Sequence, residues 1–184
     1  MTEKDVIDLL LRQHEEIKSL FTEVENAAPE DRAEAFQKLV RLLAVHETAE
    51  EEIVHPYARR KLHDGGTIAD ERLAEENAAK DLLTEMEKAG VEDPRFSANL
   101  ALLRRAVVEH AEHEEQEEFP RLRQETSEQE RRAMATAVRA AEALAPTHPH
   151  PGIDSTAKNL LLGPPTAIMD RTKDVLRRAM GKRG

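Results

Sequence analysis

Apolar residues recur every three or four positions along most of the chain, which is the period of a helix with one buried face. No stretch alternates apolar and polar residues at every second position, so the pattern predicts no strands. The chain is therefore predicted to be all-α, with three of its His on the buried faces. The clearest stripes run through Leu10, His14, Ile17, Phe21 and Val24, through Phe36, Leu39, Leu43, His46, Glu50 and Ile53, and through Leu100, Leu103, Val107, His110 and Glu114.

Capping residues, prolines and glycines mark where the helices begin and end. Thr2 followed by Asp5 starts the first helix, and Ser127 with Glu130 forms a capping box for the fifth. Prolines kink or end two of the helices, because proline lacks the backbone N–H that a helix interior needs. The predicted helices run from the Thr2–Asp5 start to about Ala28, over about 30–54 with Pro56 just beyond, over about 67–90 with a cap from Thr67 and Asp70, from Pro94 past a bend at Pro120, and from Ser127 to the residue before Pro146.

Two internal repeats indicate that the first pair of helices duplicates the next pair. Residues 11–25 align without gaps to 73–87, a shift of 62 positions, and the sequence H-x-x-x-E occurs at 46–50 and at 110–114, a shift of 64. Antiparallel helices with short connections form an up-down four-helix bundle, which a duplication makes pseudo-two-fold. We expect this bundle over residues 1–125, an additional helix packed on it over 126–145, and a Pro-rich connector with a basic amphipathic tail over 146–184.

The composition suits such a bundle and excludes several classes of protein. Of the 184 residues, 35% are charged and only 3% are aromatic, which disfavours an aromatic-rich β-sandwich. Cys is absent, so disulfides, thiolate zinc sites and iron–sulfur clusters are excluded. The net charge of -10 argues against nonspecific binding of nucleic acid. Because the sequence has neither an apolar run of membrane-spanning length nor a signal-peptide pattern, we expect a cytoplasmic protein.

The last residues differ in charge from the acidic remainder of the chain. Residues 163–184 carry six bases and two acids. We expect this segment to pack back on the acidic bundle, since the two charges are complementary. The alternative for a basic amphipathic segment is docking on an acidic partner or on a membrane surface.

The two H-x-x-x-E pairs are the strongest indication of chemistry in the chain. His and Glu four positions apart lie on one face of a helix, and both pairs continue an apolar stripe. A single pair of this kind is most often solvated, but two pairs in phase with the core place their carboxylates inside it. Burial of an unpaired carboxylate costs on the order of several kcal/mol, so we expect a compensating metal cation. His14, on the stripe of the first helix, is a further candidate ligand.

Five of the eight His are predicted to be peripheral. His113 lies one turn from His110 but off the stripe, which indicates a position at the surface or at the rim of a pocket. Tyr57 continues the stripe beneath Glu50, where it either packs in the core, hydrogen-bonds to the metal site or ligates it. The His expected to be exposed, or to lie in the connector without a functional metal ion, are His55, His63, His148 and His150.

The stretches around these residues resemble a known family. LLLRQHEEI, LLAVHETAEEEIVHPYA and EHAEHEEQEEFPRL, in this order, resemble the hemerythrin-like, or HHE cation-binding, domain over about residues 5–125. The resemblance implies an up-down four-helix bundle with a dinuclear, oxo- or hydroxo-bridged, non-haem iron centre. It also implies an open coordination position for O2, peroxide or NO. The chain matches the family's ligand positions at His14, His46, Glu50, His110 and Glu114.

One position departs from the family's pattern. Where the family usually has His in the third helix, this chain has Glu76 followed by Asn77. The internal repeat aligns Glu76 with His14, and Glu76 is in phase with the apolar residues of its helix, so we predict that Glu76 is the sixth ligand. The alternative is a five-ligand site in which one metal ion is more exposed, more labile or missing. Either site is poorer in His than that of the reversible O2 carriers.

The function predicted from these observations is a di-iron protein that reacts with O2, H2O2 or NO in oxidative-stress defence. Its enzymatic form would be catalase-like peroxide disproportionation or an oxidase activity. The second hypothesis is a non-catalytic sensor of iron, oxygen or NO, or a metal-storage module. The third is a structural bundle that holds zinc or no metal.

Overall fold

The computed structural model describes residues 4–144 of the chain. Two of its long helices pass through a π-helical turn, at Glu50–Val54 and at Glu114–Glu118, and continue as α-helix beyond it. No described helix is long and apolar enough to cross a membrane. The predicted connector and tail over 146–184 lie outside the described residues. The α-helices are α1 (Val6–Asn26), α2 (Arg32–Ala49), α3 (His55–Lys61), α4 (Gly65–Ala89), α5 (Phe96–His113), α6 (Phe119–Glu125) and α7 (Glu128–Leu144).

The helices pack as an up-down bundle, and the described residues contain no strand, so the predicted fold class is confirmed. α1 lies against α2, α3 against α4, and α4 against α5, while α5 closes the bundle against α1. The apolar stripes form two core clusters. α1, α2 and α4 each contribute to both clusters, and α5 does so only through its continuation α6. The buried His and Glu of these helices lie between the two apolar sets. The bundle therefore places a polar layer between two apolar ones.

Each π-helical turn is followed by a proline, Pro56 in α3 and Pro120 in α6. Because proline has no N–H to donate, the α-helical pattern is interrupted ahead of it, and the turn widens by one residue. The backbone N–H of His55 reaches the carbonyl oxygen of Glu50, and each π-helical turn contains five residues. The helix therefore continues through each proline with a widened turn.

The turn between α3 and α4 requires Gly65. A Cβ atom there would lie 2.2 Å from the carbonyl oxygen of Ala58, so no larger residue fits without a backbone shift. α4 begins at this glycine, and the predicted cap from Thr67 and Asp70 is wrong. The carboxylate of Asp70 instead pairs with Arg59 of α3.

The fifth helix of the prediction is α7, which packs against α1 and α2. Its predicted capping box is confirmed, because the Ser127 N–H donates to Glu130 Oε2 at 2.8 Å and the Glu130 N–H donates to Ser127 Oγ at 3.2 Å. Asp5, which caps α1, also accepts a hydrogen bond from Arg131 Nε at 2.7 Å. The start of α7 is thus attached to the start of α1. The apolar face of α7 joins the core cluster of the α1 N-terminus through Met134, Ala135, Ala137, Val138 and Ala141.

Candidate metal centre

Eight buried ionisable side chains meet in the polar layer of the bundle. None is more than 7% exposed, and four of them are carboxylates. Placing carboxylates together in an apolar interior costs several kcal/mol for each charge that is not compensated, on the order of the desolvation penalties measured in proteins. The eight residues are His14, His46, Glu50, His55, Glu76, His110, Glu114 and Glu118.

One end of this cluster is rich in His. His14 Nε2 lies 3.3 Å from Glu114 Oε2, and His46 Nε2 lies 3.2 Å from Glu50 Oε2. One donor atom from each of these four residues lies within 4.8 Å of the others. Imidazole nitrogen and carboxylate oxygen together are typical ligands of iron, zinc or manganese.

The other end of the cluster is rich in carboxylates. His110 Nε2 lies 3.6 Å from Glu114 Oε2 and 3.9 Å from Glu76 Oε1. Because Glu50 and Glu114 also belong to the His-rich end, they lie between the two ends. The further groups of potential ligands are Glu50 with His55 and Glu76, and His55 with Glu114 and Glu118.

Three of the imidazoles are oriented by a hydrogen bond at Nδ1. An acceptor at Nδ1 makes that nitrogen the N–H donor and leaves a lone pair on Nε2, as in metal-bound His. Among the described residues, Nε2 of His14 and of His110 has no hydrogen-bond partner. The contacts at Nδ1 are His14 with Glu115 Oε1 at 2.8 Å, His46 with Gln13 Oε1 at 3.0 Å, and His110 with Glu75 Oε2 at 3.0 Å.

His55 is instead bonded through both ring nitrogens. Its Nε2 donates to Glu76 Oε1 at 2.7 Å, and its Nδ1 donates to Glu118 Oε1 at 3.3 Å. Burial opposes a charge on this ring, but the bonds to Glu118 and Glu76 raise the pKa of His55 to about 10. Both ring nitrogens of His55 thus face carboxylates, so His55 orients Glu76 and Glu118 and compensates their charge.

Protonation differs sharply between neighbours in the cluster. Burial, reinforced by Glu114, raises the pKa of Glu50 well above its ordinary value. Burial also acts to raise the pKa of Glu114, but His110 and His14 together lower it below its ordinary value. Burial lowers the pKa of His46 to about 3, and the nearby His14 adds to this effect. His46 is therefore neutral. Burial opposes a charge on His14, but the bonds to Glu114 and Glu115 raise the pKa of His14 to about 9. Binding of a metal ion at His14 would release that proton.

Many polar atoms of the cluster have no hydrogen-bond partner among the described residues. These atoms show whether the residues fit a metal ion. Folded proteins pair nearly all of their buried polar atoms, so such a concentration calls for a missing partner. All of these atoms are nitrogen or oxygen donors that iron, manganese or zinc accepts. The residues therefore fit a bound metal ion and support a metal-binding protein. The unpaired atoms of the cluster are Nε2 of His14 and His110, both carboxylate oxygens of Glu50 and Glu114, and Oε2 of Glu76 and Glu118.

All six residues predicted as ligands lie in the cluster. Glu76 is 1% exposed and points into it, whereas Asn77 is exposed and donates a hydrogen bond to the Leu73 carbonyl oxygen at 2.7 Å. The third-helix position is thus filled by a carboxylate. The six predicted ligands that the fold brings together are His14, His46, Glu50, Glu76, His110 and Glu114.

Sequence reasoning missed two members of the cluster. The prediction that His55 is exposed is wrong, since it is 1% exposed, and Glu118 was not identified at all. For His55 the reason is the π-helical turn, which needs one more residue to return to the same face. His55 follows Glu50 by five positions, which an α-helix would turn well away from the core. Glu118 follows Glu114 by four positions, so the α-helical period already places it on the ligand face. Pro56 was the signal that could have found His55, and the stripe through His110 and Glu114 was the signal that could have found Glu118.

The other singled-out residues lie away from the cluster. The side chain of His63 is 88% exposed and that of His113 is 39% exposed, as predicted. Tyr57 packs in the core cluster shared with α7. Burial raises the pKa of Tyr57, and the neighbouring Glu130 of α7 raises it further. The remaining two, His148 and His150, lie outside the described residues.

A small cavity adjoins the cluster on the side of the second apolar layer. Ligand candidates, aliphatic side chains and the charged residues Lys18, Glu47 and Glu75 line this cavity. Small, weakly polar molecules are the ligands that such a lining accepts. The lining includes the ligand candidates His14, His46, Glu76 and His110 and the apolar residues Ile17, Leu43, Ala79 and Val107.

Known proteins resemble the chain over the part that forms the cluster. The family model described as hemerythrin HHE cation binding domain matches residues 5–122. An uncharacterized hemerythrin-like protein of Schizosaccharomyces pombe is 25% identical over 174 residues, which cover 93% of this chain and 86% of that protein. A DNA nickase of a Nostoc species is 27% identical over 139 residues, which cover 75% of this chain but 39% of that protein. All eight residues of the cluster fall within the family match.

Proposed function

Because the chain belongs to the hemerythrin HHE cation-binding domain family, we propose that its buried cluster holds a dinuclear iron centre. We infer that this centre reacts with O2, H2O2 or NO, and that disproportionation of H2O2 is its concrete activity. The observation that carries the proposal is the set of buried, unpaired imidazole and carboxylate atoms. Their number and type suit two iron ions better than one.

The proposed ligands divide between the two ends of the cluster. His14 and His46 would hold one ion, and His110 with Glu76 would hold the other. Glu50 and Glu114, which have no hydrogen-bond partner among the described residues, would serve both. His55 keeps Glu76 in position through its hydrogen bond of 2.7 Å. The complete proposed set is His14, His46, Glu50, Glu76, His110 and Glu114.

Peroxide disproportionation divides the work between the metal and the chain. When bound, the iron pair supplies the capacity for electron transfer that these side chains lack. One H2O2 is reduced to two H2O while a second is oxidised to O2, and the two protons lost by the second are gained by the first. Glu75 links Nδ1 of the buried His110, at 3.0 Å, to Nδ1 of the half-exposed His113, at 2.7 Å. This hydrogen-bonded path joins the edge of the cluster to solvent.

The surroundings of the cluster favour a small reactant and oxidative chemistry. The adjoining cavity has an aliphatic wall formed by residues such as Leu43 and Val107, which suits a diatomic molecule or a peroxide. Three carboxylates among six ligands stabilise the higher oxidation states of iron, since anionic oxygen donors suit harder cations. Reversible O2 transport is therefore less favoured than O2 or peroxide chemistry.

Metal analysis of the purified protein is the first test. The proposal requires about two iron ions per chain, as in other bundle-held dinuclear centres. O2 evolution from H2O2 should disappear in His46→Ala and persist in His63→Ala, which removes an exposed His as a matched control. Zinc alone, or metal content that does not depend on His46 and His110, would contradict the di-iron centre.

A non-catalytic sensor or metal store is the second candidate function. The observation that favours it is the contact between the ligand-bearing α1 and α7, the helix that leads into the C-terminal residues. Full iron content without O2 evolution from H2O2 would select this function. A basic tail that responds to the metal centre would then dock on the bundle or on an acidic partner.

DNA nicking, which is named for the Nostoc relative, is not proposed for this chain. The shared region covers only 39% of that protein, and this chain has a net charge of -10, which disfavours nonspecific contact with nucleic acid. A supercoiled plasmid incubated with the iron-loaded protein should stay supercoiled. Conversion to the relaxed circle, absent in His46→Ala, would contradict this expectation.

A further inference from the structure

A chain of hydrogen bonds links the last turns of α7 to His46. Gln13 of α1 lies between them and is 4% exposed. Its Oε1 accepts a hydrogen bond from His46 Nδ1 at 3.0 Å, and its Nε2 donates a hydrogen bond to Glu142 Oε1. Gln13 and Glu142 are 129 positions apart, so only the folded bundle joins them.

The orientation of the Gln13 amide decides which nitrogen of His46 carries the proton. With Oε1 toward the imidazole, Nδ1 is the donor and Nε2 keeps the lone pair that faces the cluster. With the amide reversed, its NH2 group would face Nδ1, and the imidazole proton would move to Nε2. An imidazole that is protonated at Nε2 cannot bind a metal ion through that nitrogen.

Glu142 selects the orientation that suits a metal ion. A carboxylate only accepts hydrogen bonds, so the amide of Gln13 turns its NH2 group toward Glu142 and its oxygen toward His46. Without that acceptor the two orientations of an amide have nearly the same shape, and packing alone does not distinguish them.

His110, in the second H-x-x-x-E pair, needs no residue in the role of Glu142. The internal shift of 62 positions pairs Gln13 with Glu75, whose Oε2 accepts the hydrogen bond from His110 Nδ1 at 3.0 Å. Either oxygen of a carboxylate accepts, so Glu75 sets the tautomer of His110 by itself. Dependence on α7 is therefore confined to His46.

The position of Glu142 follows from the docking of α7 as a whole. The helix is held at its start by the contact of Arg131 with Asp5 at 2.7 Å, and along its length by apolar residues such as Val138. Ala141, next to Glu142, is 7% exposed and belongs to the same core cluster. A displacement of α7 from α1 would separate Glu142 from Gln13.

We propose that α7 sets the metal-binding tautomer of His46. Glu142 orients Gln13, and Gln13 keeps the proton of His46 on Nδ1, so that Nε2 is free for the metal ion. Both are positioning residues, and neither contacts the metal. The inference rests on the proposed metal centre, and it adds control of that centre by the helix that precedes the C-terminal residues.

The sharpest test reverses the hydrogen bond at Glu142. Glu142→Lys replaces an acceptor by a donor, which turns the Gln13 amide around, so iron affinity should fall by about 10- to 100-fold. Adding Gln13→Glu should restore it, because the introduced carboxylate accepts from both the new ammonium and His46. Glu128→Lys, on an exposed part of α7 where the carboxylate is 59% exposed, is the matched control and should leave affinity unchanged.

A second readout does not need metal at all. Nitrogen-15 NMR of metal-free protein reports the tautomer of His46, which should be Nδ1–H in the wild type and in the double variant and shift toward Nε2–H in Glu142→Lys. Glu142→Gln, the milder change, should give a mixture, and it remains usable if the Lys variant does not fold. The proposed function fails if the wild type binds no metal. The present inference is overturned if the tautomer or the affinity is the same in wild type, Glu142→Gln and Glu142→Lys.

Discussion

Each half of the bundle carries an H-x-x-x-E pair, but the residues that contact the other ligand candidates differ between the halves. The half formed by α1, α2 and α3 contains the H-x-x-x-E pair at 46–50, and the half formed by α4, α5 and α6 contains the pair at 110–114. Each pair leads into a π-helical turn followed by a proline. The repeated helices thus bring the same two donor types to the centre twice.

The halves diverge at a pair of contacts that the repeat makes equivalent. His14 stacks on Phe119, with ring centroids 5.8 Å apart and an interplanar angle of 15°. At the corresponding positions of the other half, Glu76 accepts a hydrogen bond from His55 at 2.7 Å. Between the two halves, therefore, both the ligand candidate and the residue in contact with it are different. The imidazole of His14 has an apolar ring against it, whereas the carboxylate of Glu76 has a hydrogen-bond donor.

The largest expected effect comes from the carboxylates that the two halves share. Glu50→Gln or Glu114→Gln should lower the affinity for both proposed metal ions by more than about 100-fold, beyond the loss seen for outer-sphere partners, because each carboxylate is proposed to serve both ends of the cluster. Metal content of the purified variants measures this. Glu117→Gln changes a half-exposed carboxylate near the same turn and serves as the control. Retention of one full ion in either variant would show that the shared role is wrong.

The next effect tests the divergent pair directly. His55→Phe places at position 55 the aromatic ring that the second half has at Phe119. It also leaves Glu76 without its hydrogen-bond donor. Affinity for one of the two ions should fall by about 10- to 100-fold. Adding Glu76→His completes the match with His14 and Phe119 and should recover that ion, as judged by metal content. A double variant no better than the single one would refute the equivalence of the two contacts.

A smaller effect concerns the turn that joins the halves. Gly65→Ala should lower the free energy of unfolding by about 1–3 kcal/mol, because the added Cβ would lie 2.2 Å from a backbone oxygen. Gly66→Ala is the neighbouring control, since a Cβ atom there meets nothing within 4 Å. Denaturant unfolding measures both variants. Equal stability of the two would mean that the turn adapts without cost.

The smallest expected effect lies where α7 attaches to the first half alone. Burial acts to raise the pKa of Asp5, but Arg131 and the amide groups of Ile7 and Asp8 bring it below 3.8. A lowered folded-state pKa stabilises the fold above the unfolded pKa, and this stability is lost as pH falls through the lowered value. Asp5→Asn keeps a capping residue and should cost about 1 kcal/mol at neutral pH. Unfolding curves of variant and wild type should converge on acidification; a constant difference would contradict the ionic contribution.

Much of the centre was predictable because it follows the helical period. His46 and Glu50 continue one apolar stripe, and His110 and Glu114 continue another. Both stripes are buried in the bundle along their whole length. Glu76 could be preferred over Asn77 from phase alone. His55 could not be found this way, since its burial depends on a local helix type that a fixed period of 3.6 does not describe.

The sequence by itself determined the all-α bundle, its internal duplication and the six His and Glu that face the centre, because each of these depends on spacing within one helix. Tertiary structure alone decided the rest. The stacking of Phe119 on His14, the bond of His55 to Glu76 and the link from Glu142 through Gln13 to His46 join residues from different helices. Such contacts depend on how the helices are rotated and offset against one another, and that is set by the packing of the whole core.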